Sequence, residues 1–131
     1  MEKDERAKEA AEAALENIKD MIKRCHTNEE GEYDEGYLND EVLNEIYEAP
    51  LSVLVRSDWY SPGEIPPEAV EYMILLTTGG PAVQLIGTLD KGSPDSVQLQ
   101  YQDWGTPWCD YPLDKESSEI LLEFAQLVIP S

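Results

Sequence analysis

Positive charge, cysteine and histidine are all scarce in this chain. Nine lysines and arginines stand against 28 aspartates and glutamates, a formal net charge of −19 over 131 residues. So acidic a chain is repelled by phosphate backbones and anionic lipid, which argues against direct nucleic-acid or membrane binding and favours a basic partner. The two cysteines, Cys25 and Cys109, are too far apart in sequence for a metal-ligand pattern and form no disulfide framework, so free thiols are expected. The single histidine, His26, follows Cys25 directly. Adjacent helical residues point about 100° apart, so the two make no nucleophile pair.

Long apolar runs are missing as well. The longest, Met73 to Leu76, is far too short to span a bilayer, and the charged opening MEKDERAKEA gives no signal peptide, so a cytoplasmic location in a host cell is expected. Gly79-Gly80 is followed by Pro81 and an apolar segment, which is hairpin chemistry rather than a phosphate cradle. Zinc-type ligand sets are absent. Around Gly31 and Gly36 the acidic stretch lacks acidic ligands at positions one, three and five of a calcium loop, so no metal and no cofactor are expected.

What is present suffices for one domain over 1–131, since 41% of residues are hydrophobic and a chain of this size buries about two-thirds of its unfolded surface. Two portions are distinguishable, an acidic helical one over 1–49 and a sheet with a final helix over 50–131. Residues 4–25 carry a helical stripe of Ala7, Ala11, Ala14, Ile18, Ile22 and Cys25, edged by Leu15 and Met21. The opposite stripe is Glu5, Glu9, Glu12, Glu16 and Asp20. Like charges four residues apart cost a helix a few tenths of a kcal/mol each, relieved where Asp4 meets Lys8, Glu16 meets Lys19 and Asp20 meets Arg24.

From Thr27 to Pro50 the bias sharpens. Nine acids (Glu29, Glu30, Glu32, Asp34, Glu35, Asp40, Glu41, Glu45 and Glu48) occur there without a lysine or arginine, where even spreading would put about five. The first part reads as a loop. Asn39 or Asp40 then caps a helix to about Glu48, with Val42, Leu43 and Ile46 inward and Glu41, Glu45 and Glu48 outward.

Strands follow at Leu51 to Arg56, from Val70 to a Thr78-Gly79-Gly80-Pro81 hairpin, at about Ala82 to Leu89, and around Val97 to Gln102. In the last, Val97, Leu99 and Tyr101 alternate with Gln98, Gln100 and Gln102, leaving a glutamine row outward. Residues 90–95 read as a turn, as does the segment through Tyr111-Pro112. Asp114 caps a closing helix from about Lys115 to Val128, expected to lie across the sheet. The fold class is therefore α+β: N-terminal helices, then a mostly antiparallel four-stranded sheet packed against a C-terminal helix.

Three tryptophans remain. Trp59 in the loop 57–67 is expected to pack on the sheet, and Trp104 and Trp108, around Gly105 and Pro107, to form a lid over it; the alternative is an exposed recognition patch. Asp103 and Asp110 near that loop are a candidate acid–base pair, although aspartates are ordinary in turns.

The segments PLSVLVRSDWYSPGE, LLTTGGPAVQLIGTLD and LQYQDWGTPW, above all TGGPAV together with QDWGTPW, resemble a family of small proteins from bacteriophages, prophages and mobile elements over about the C-terminal 80 residues. The resemblance implies a context rather than an activity: small acidic phage proteins often inhibit host defences such as CRISPR or restriction enzymes. The expectation is a non-enzymatic anti-defence inhibitor, without catalytic residues. Its DNA-mimic-like acid rows and acidic loop would bind a basic nucleic-acid-binding protein or ribonucleoprotein complex of the host. The alternative is an interaction module using Trp59, Trp104, Trp108 and the glutamine face, with acidity serving solubility alone.

Overall fold

The computed structural model describes residues 2–130. Helix α1 (Glu2–Cys25) is followed by α2 (Asp40–Glu48), strands β1 (Ser52–Ser57), β2 (Ala69–Thr77), β3 (Ala82–Asp90), β4 (Ser93–Pro94), β5 (Gln98–Gln102) and β6 (Cys109–Tyr111), and helix α3 (Lys115–Val128). The class is α+β with an antiparallel sheet. Six strands replace the expected four, in the order β1-β2-β3-β5-β6 with β4 paired to β3.

Both extra strands lie where turns were expected. Lys91 (φ 53°) and Gly92 (φ 85°) form a two-residue connection with positive φ at both positions, the backbone that matches strand twist in a tight hairpin. It returns the chain so that Leu89 faces Pro94 and Asp90 faces Ser93. Beyond the Trp104–Trp108 loop, Cys109–Tyr111 pairs with β5, Leu99 opposite Tyr111 and Tyr101 opposite Cys109.

One face of the sheet carries the core. Tyr72, Ile74, Val83, Leu85, Leu89 and Leu99 are buried there with Ala11, Leu15, Ile18, Met21, Ile22 and Cys25 of α1, Val42 and Ile46 of α2, and Leu121, Phe124 and Ala125 of α3. The small alanines of the α1 stripe allow close approach, so α1 itself lies over β3 and β5, while α3 packs along α1 and against β4. Cover of the sheet is thus shared between α1 and α3. Both shorter helices are capped as the sequence indicates: the Asn39 side chain accepts from the Val42 N–H and the Asp114 side chain from the Ser117 N–H.

A cross-strand pair fixes the middle of the sheet. Tyr72 lies opposite Gly87, and its hydroxyl donates to the Ser96 carbonyl at 2.7 Å. A Cβ at position 87 would stand 2.0 Å from that same carbonyl oxygen and 2.8 Å from the Tyr72 ring. Only glycine fits beneath the tyrosine.

Among the described residues β1 packs chiefly on β2, and no helix makes a substantial contact with it. Val53 and Val55 face Ile74 and Tyr72, on the core side of the sheet, yet both are exposed, as are Leu51 and Leu54. Among the described residues no helix is long and apolar enough to cross a membrane.

Candidate binding surface

The acidic residues are carried by α1, by the segment after it and by α2. Glu5, Glu9, Glu12, Glu16 and Asp20 are all exposed along α1, opposite its buried stripe. Among the described residues, two of the five make ion pairs: Glu16 with Lys19 at 3.8 Å and Asp20 with Arg24 at 2.8 Å. The expected Asp4–Lys8 pair lies outside the described side chains.

After Cys25 the chain makes a tongue held by its own backbone. The Asp34 N–H donates to the His26 carbonyl at 2.8 Å, Thr27 bridges Tyr33, and the Asn39 N–H donates to the Cys25 carbonyl at 2.9 Å. Inside the tongue the Asn28 side-chain oxygen accepts from the N–H groups of Glu30 and Glu32 at 3.0 and 2.9 Å. Asn28 thereby fixes the turn that presents Glu29, Glu30, Glu32, Asp34 and Glu35, all exposed. Among the described residues no three His, Cys, Asp or Glu side chains converge to hold a metal ion, so the tongue spreads its carboxylates instead of pooling them.

His26 anchors the tongue to the body. Buried at the end of α1, it places Nδ1 2.9 Å from the Tyr37 carbonyl and Nε2 2.5 Å from a Glu123 carboxylate oxygen of α3. Burial alone would lower its pKa; the hydrogen bonds to Glu123 and to the Tyr37 carbonyl, with the nearby charges of Glu123 and Glu35, outweigh it and raise the pKa. The imidazolium can donate from both nitrogens at once. Cys25 beside it is buried, and burial pushes its thiol pKa up, the opposite of nucleophile activation.

On α2, Glu41 and Glu48 are exposed, but Glu45 belongs to a structural pair. Arg24 Nη1 and Nη2 donate to its two carboxylate oxygens at 2.9 and 2.7 Å, while Arg24 Nε donates to Asp20 at 2.8 Å. One guanidinium thus joins the α1 row to α2, and hydrogen bonding to it lowers the Glu45 pKa. Sequence reasoning could find the i,i+4 half of this bridge but not the half that spans 21 residues.

The tryptophans do not form the expected lid. Trp59 is 102% exposed and Trp104 79%, with Trp108 half-buried. Trp59 and Tyr60 follow β1, on which no helix packs substantially among the described residues. The loop around Trp104 is closed by Asp103 and Thr106 instead: Asp103 Oδ1 accepts the Trp104 N–H at 2.7 Å, and the Asp103 N–H donates to Thr106 Oγ1 at 3.0 Å.

Asp103 and Asp110 do not form an acid–base pair. Asp103 is buried with Oδ2 3.7 Å from Arg6 Nη2 of α1, on the helix-covered side. Asp110 faces Gln100 on the opposite side of the sheet and accepts its Nε2–H at 2.8 Å. Gln100 in turn accepts from the buried Gln84 at 2.9 Å, so Gln84, Gln100 and Asp110 form a hydrogen-bonded relay across three strands.

Concave surface gathers at the other edge. A cleft of about 580 Å³ lies between Arg56, Ser57, Asp58, Trp59, Tyr60 and Glu71, and one of about 480 Å³ runs from Trp59 to Pro67. In the larger cleft the charged pair Arg56 and Glu71 is spent on itself, at 3.1 and 3.0 Å. Compared with family models, curated proteins and solved structures, the chain finds no match.

Proposed function

We propose that the protein is a non-enzymatic anti-defence inhibitor of phage or mobile-element origin. Its acidic helical side occupies a basic, nucleic-acid-binding surface of a host CRISPR or restriction complex. The observation that carries this reading is the ordered presentation of Glu5, Glu9, Glu12, Glu29, Glu30, Glu32, Asp34, Glu35, Glu41 and Glu48. All ten are exposed, and none has an ion-pair partner among the described residues. Acids one helical turn apart have Cβ atoms about 5–6 Å from each other, a spacing similar to the repeat of phosphates along a strand. Hydration alone does not require acids to be gathered on one helical portion and its hydrogen-bonded tongue.

Competition supplies the test. The chain should displace labelled duplex from a CRISPR effector or restriction enzyme, and Glu9→Lys, Glu12→Lys, Glu41→Lys and Glu48→Lys together should abolish this without unfolding it. Full inhibition by the reversed protein would sink the proposal. Glu45 is left alone because its reversal would break the α1–α2 bridge.

A second reading draws on the exposed Trp59 and Trp104: an interaction module whose contacts are apolar, with acidity for solubility. Substitution of both indoles would then abolish partner binding while the acid reversals left it intact.

A further inference from the structure

Independently of the acidic side, we infer that β1 pairs antiparallel with β1 of a second copy, joining two sheets about a two-fold axis. The strand ends the sheet order, and among the described residues its backbone makes no hydrogen bond beyond β2 and the Leu51–Leu75 contact at its start. Free edges are ordinarily blunted by charged side chains, above all lysine, by proline, by bulges or by a covering segment. Ser-Val-Leu-Val-Arg-Ser has neither lysine nor proline, its one charge, Arg56, is paired with Glu71, its register breaks only at Arg56/Ser57, and every residue before Ser57 is exposed. Left unpaired, such an edge is an aggregation template.

The size of the patch fits a dimer. Leu51 (58%), Val53 (39%), Leu54 (59%), Val55 (53%), Trp59 (102%) and Ile65 (92%) together expose the equivalent of about four whole large apolar side chains. That is on the order of 700 Å², beyond the largest patch of a typical monomer and close to the ~800 Å² per partner of a standard interface. Leu54, Val55, Trp59 and Ile65 are linked through adjoining clefts, the first sharing Arg56 and Glu71 with the second and the second sharing Trp59 and Tyr60 with the third, while Leu51 and Val53 adjoin them along the strand.

Charge and sequence select a second copy as the occupant. Within a chain of −19, residues 49–63 carry only Arg56 and Asp58 and are formally neutral, so two acidic copies can meet here with little repulsion, Glu64 lying at the margin beside Ile65. With the two-fold through Leu54, Leu54 faces Leu54, Val53 faces Val55 and Ser52 faces Arg56. Apolar residues then meet apolar ones on both faces, and no like charges are opposed. Each Arg56 is already neutralised by its own Glu71. Trp59 and Leu51 lie at opposite ends of the exposed segment, so the two-fold brings the indole of each copy to the leucine of the other.

Sedimentation and light scattering of the full chain across concentration and salt test this. The expected species is twice the 14.8 kDa chain, tightening as salt rises because screening relieves repulsion, whereas binding through the acidic side weakens with salt. Leu54→Lys sets two ammonium groups face to face and should raise the dimer dissociation constant by about 100-fold with the monomer still folded by circular dichroism. In a Cys109→Ser background, Leu54→Cys should cross-link on oxidation and Val53→Cys should not. A chain monomeric at every concentration, a dimer indifferent to Leu54→Lys, or cross-linking at Val53 but not Leu54 would each overturn the inference. So would a monomer that takes up only a foreign strand.

Discussion

His26 at the end of α1 holds Glu123 of α3 at 2.5 Å and the Tyr37 carbonyl at 2.9 Å, and so ties the acidic tongue to the body of the protein. Its consequence is a pH dependence of definite sign. A raised histidine pKa means the folded state binds the proton more tightly than the unfolded state does. The stabilisation is fully present below the unfolded value of 6.5 and is lost as pH rises through the higher folded value. Denaturant unfolding at about pH 6 should show His26→Gln destabilised by about 1.5–3 kcal/mol, the range for hydrogen bonds to a charged group. The gap should narrow by about pH 9. A gap that widens with pH would contradict the bridge.

Gly87→Ala should be among the most destabilising small substitutions. Its Cβ would press within 2.0 Å of the Ser96 carbonyl, whose position is held by Tyr72. Thermal unfolding should register about 3 kcal/mol or more, at the upper end for overpacking. Gly80→Ala, with nothing within 4 Å of the added carbon, is the control and should be nearly silent.

Trp59→Ala should leave the stability of the isolated chain within about 0.5 kcal/mol, as befits a surface position away from the core. Acrylamide should quench Trp59 efficiently in dilute solution and less so as concentration rises and β1 edges pair. An indole protected at all concentrations would contradict its exposure.

Much of the fold was legible because local signals agreed with tertiary need. The α1 stripe from Ala7 to Cys25, the caps Asn39 and Asp114, and the alternation of Leu99 and Tyr101 with glutamines each carry their own periodicity or capping chemistry. Strands β4 and β6, two and three residues long, are too short for a period to register, and their pairing depends on the Lys91-Gly92 turn and on β5. The tryptophans misled for a different reason. A large aromatic is buried only where another layer reaches it, and no local pattern says that α1 settles over β3 and β5, leaving β1 bare. On the acidic side, outward residues on α1 and α2 follow from helical spacing, but the assignment of Glu45 to Arg24 and of His26 to Glu123 depends on contacts 21 and 97 residues apart. A lone acid at Glu123 amid Leu121, Leu122, Phe124 and Ala125 was the one sequence hint of the latter.

The decisive measurement is the salt dependence of inhibition in the duplex-competition assay, with the native chain beside the Glu9, Glu12, Glu41 and Glu48 to lysine variant. If the outward carboxylates stand in for phosphates, the native inhibition constant rises steeply between about 50 and 200 mM salt, while the variant fails to compete at either concentration. Inhibition that ignores salt, or that survives the four reversals in a folded protein, would contradict phosphate imitation.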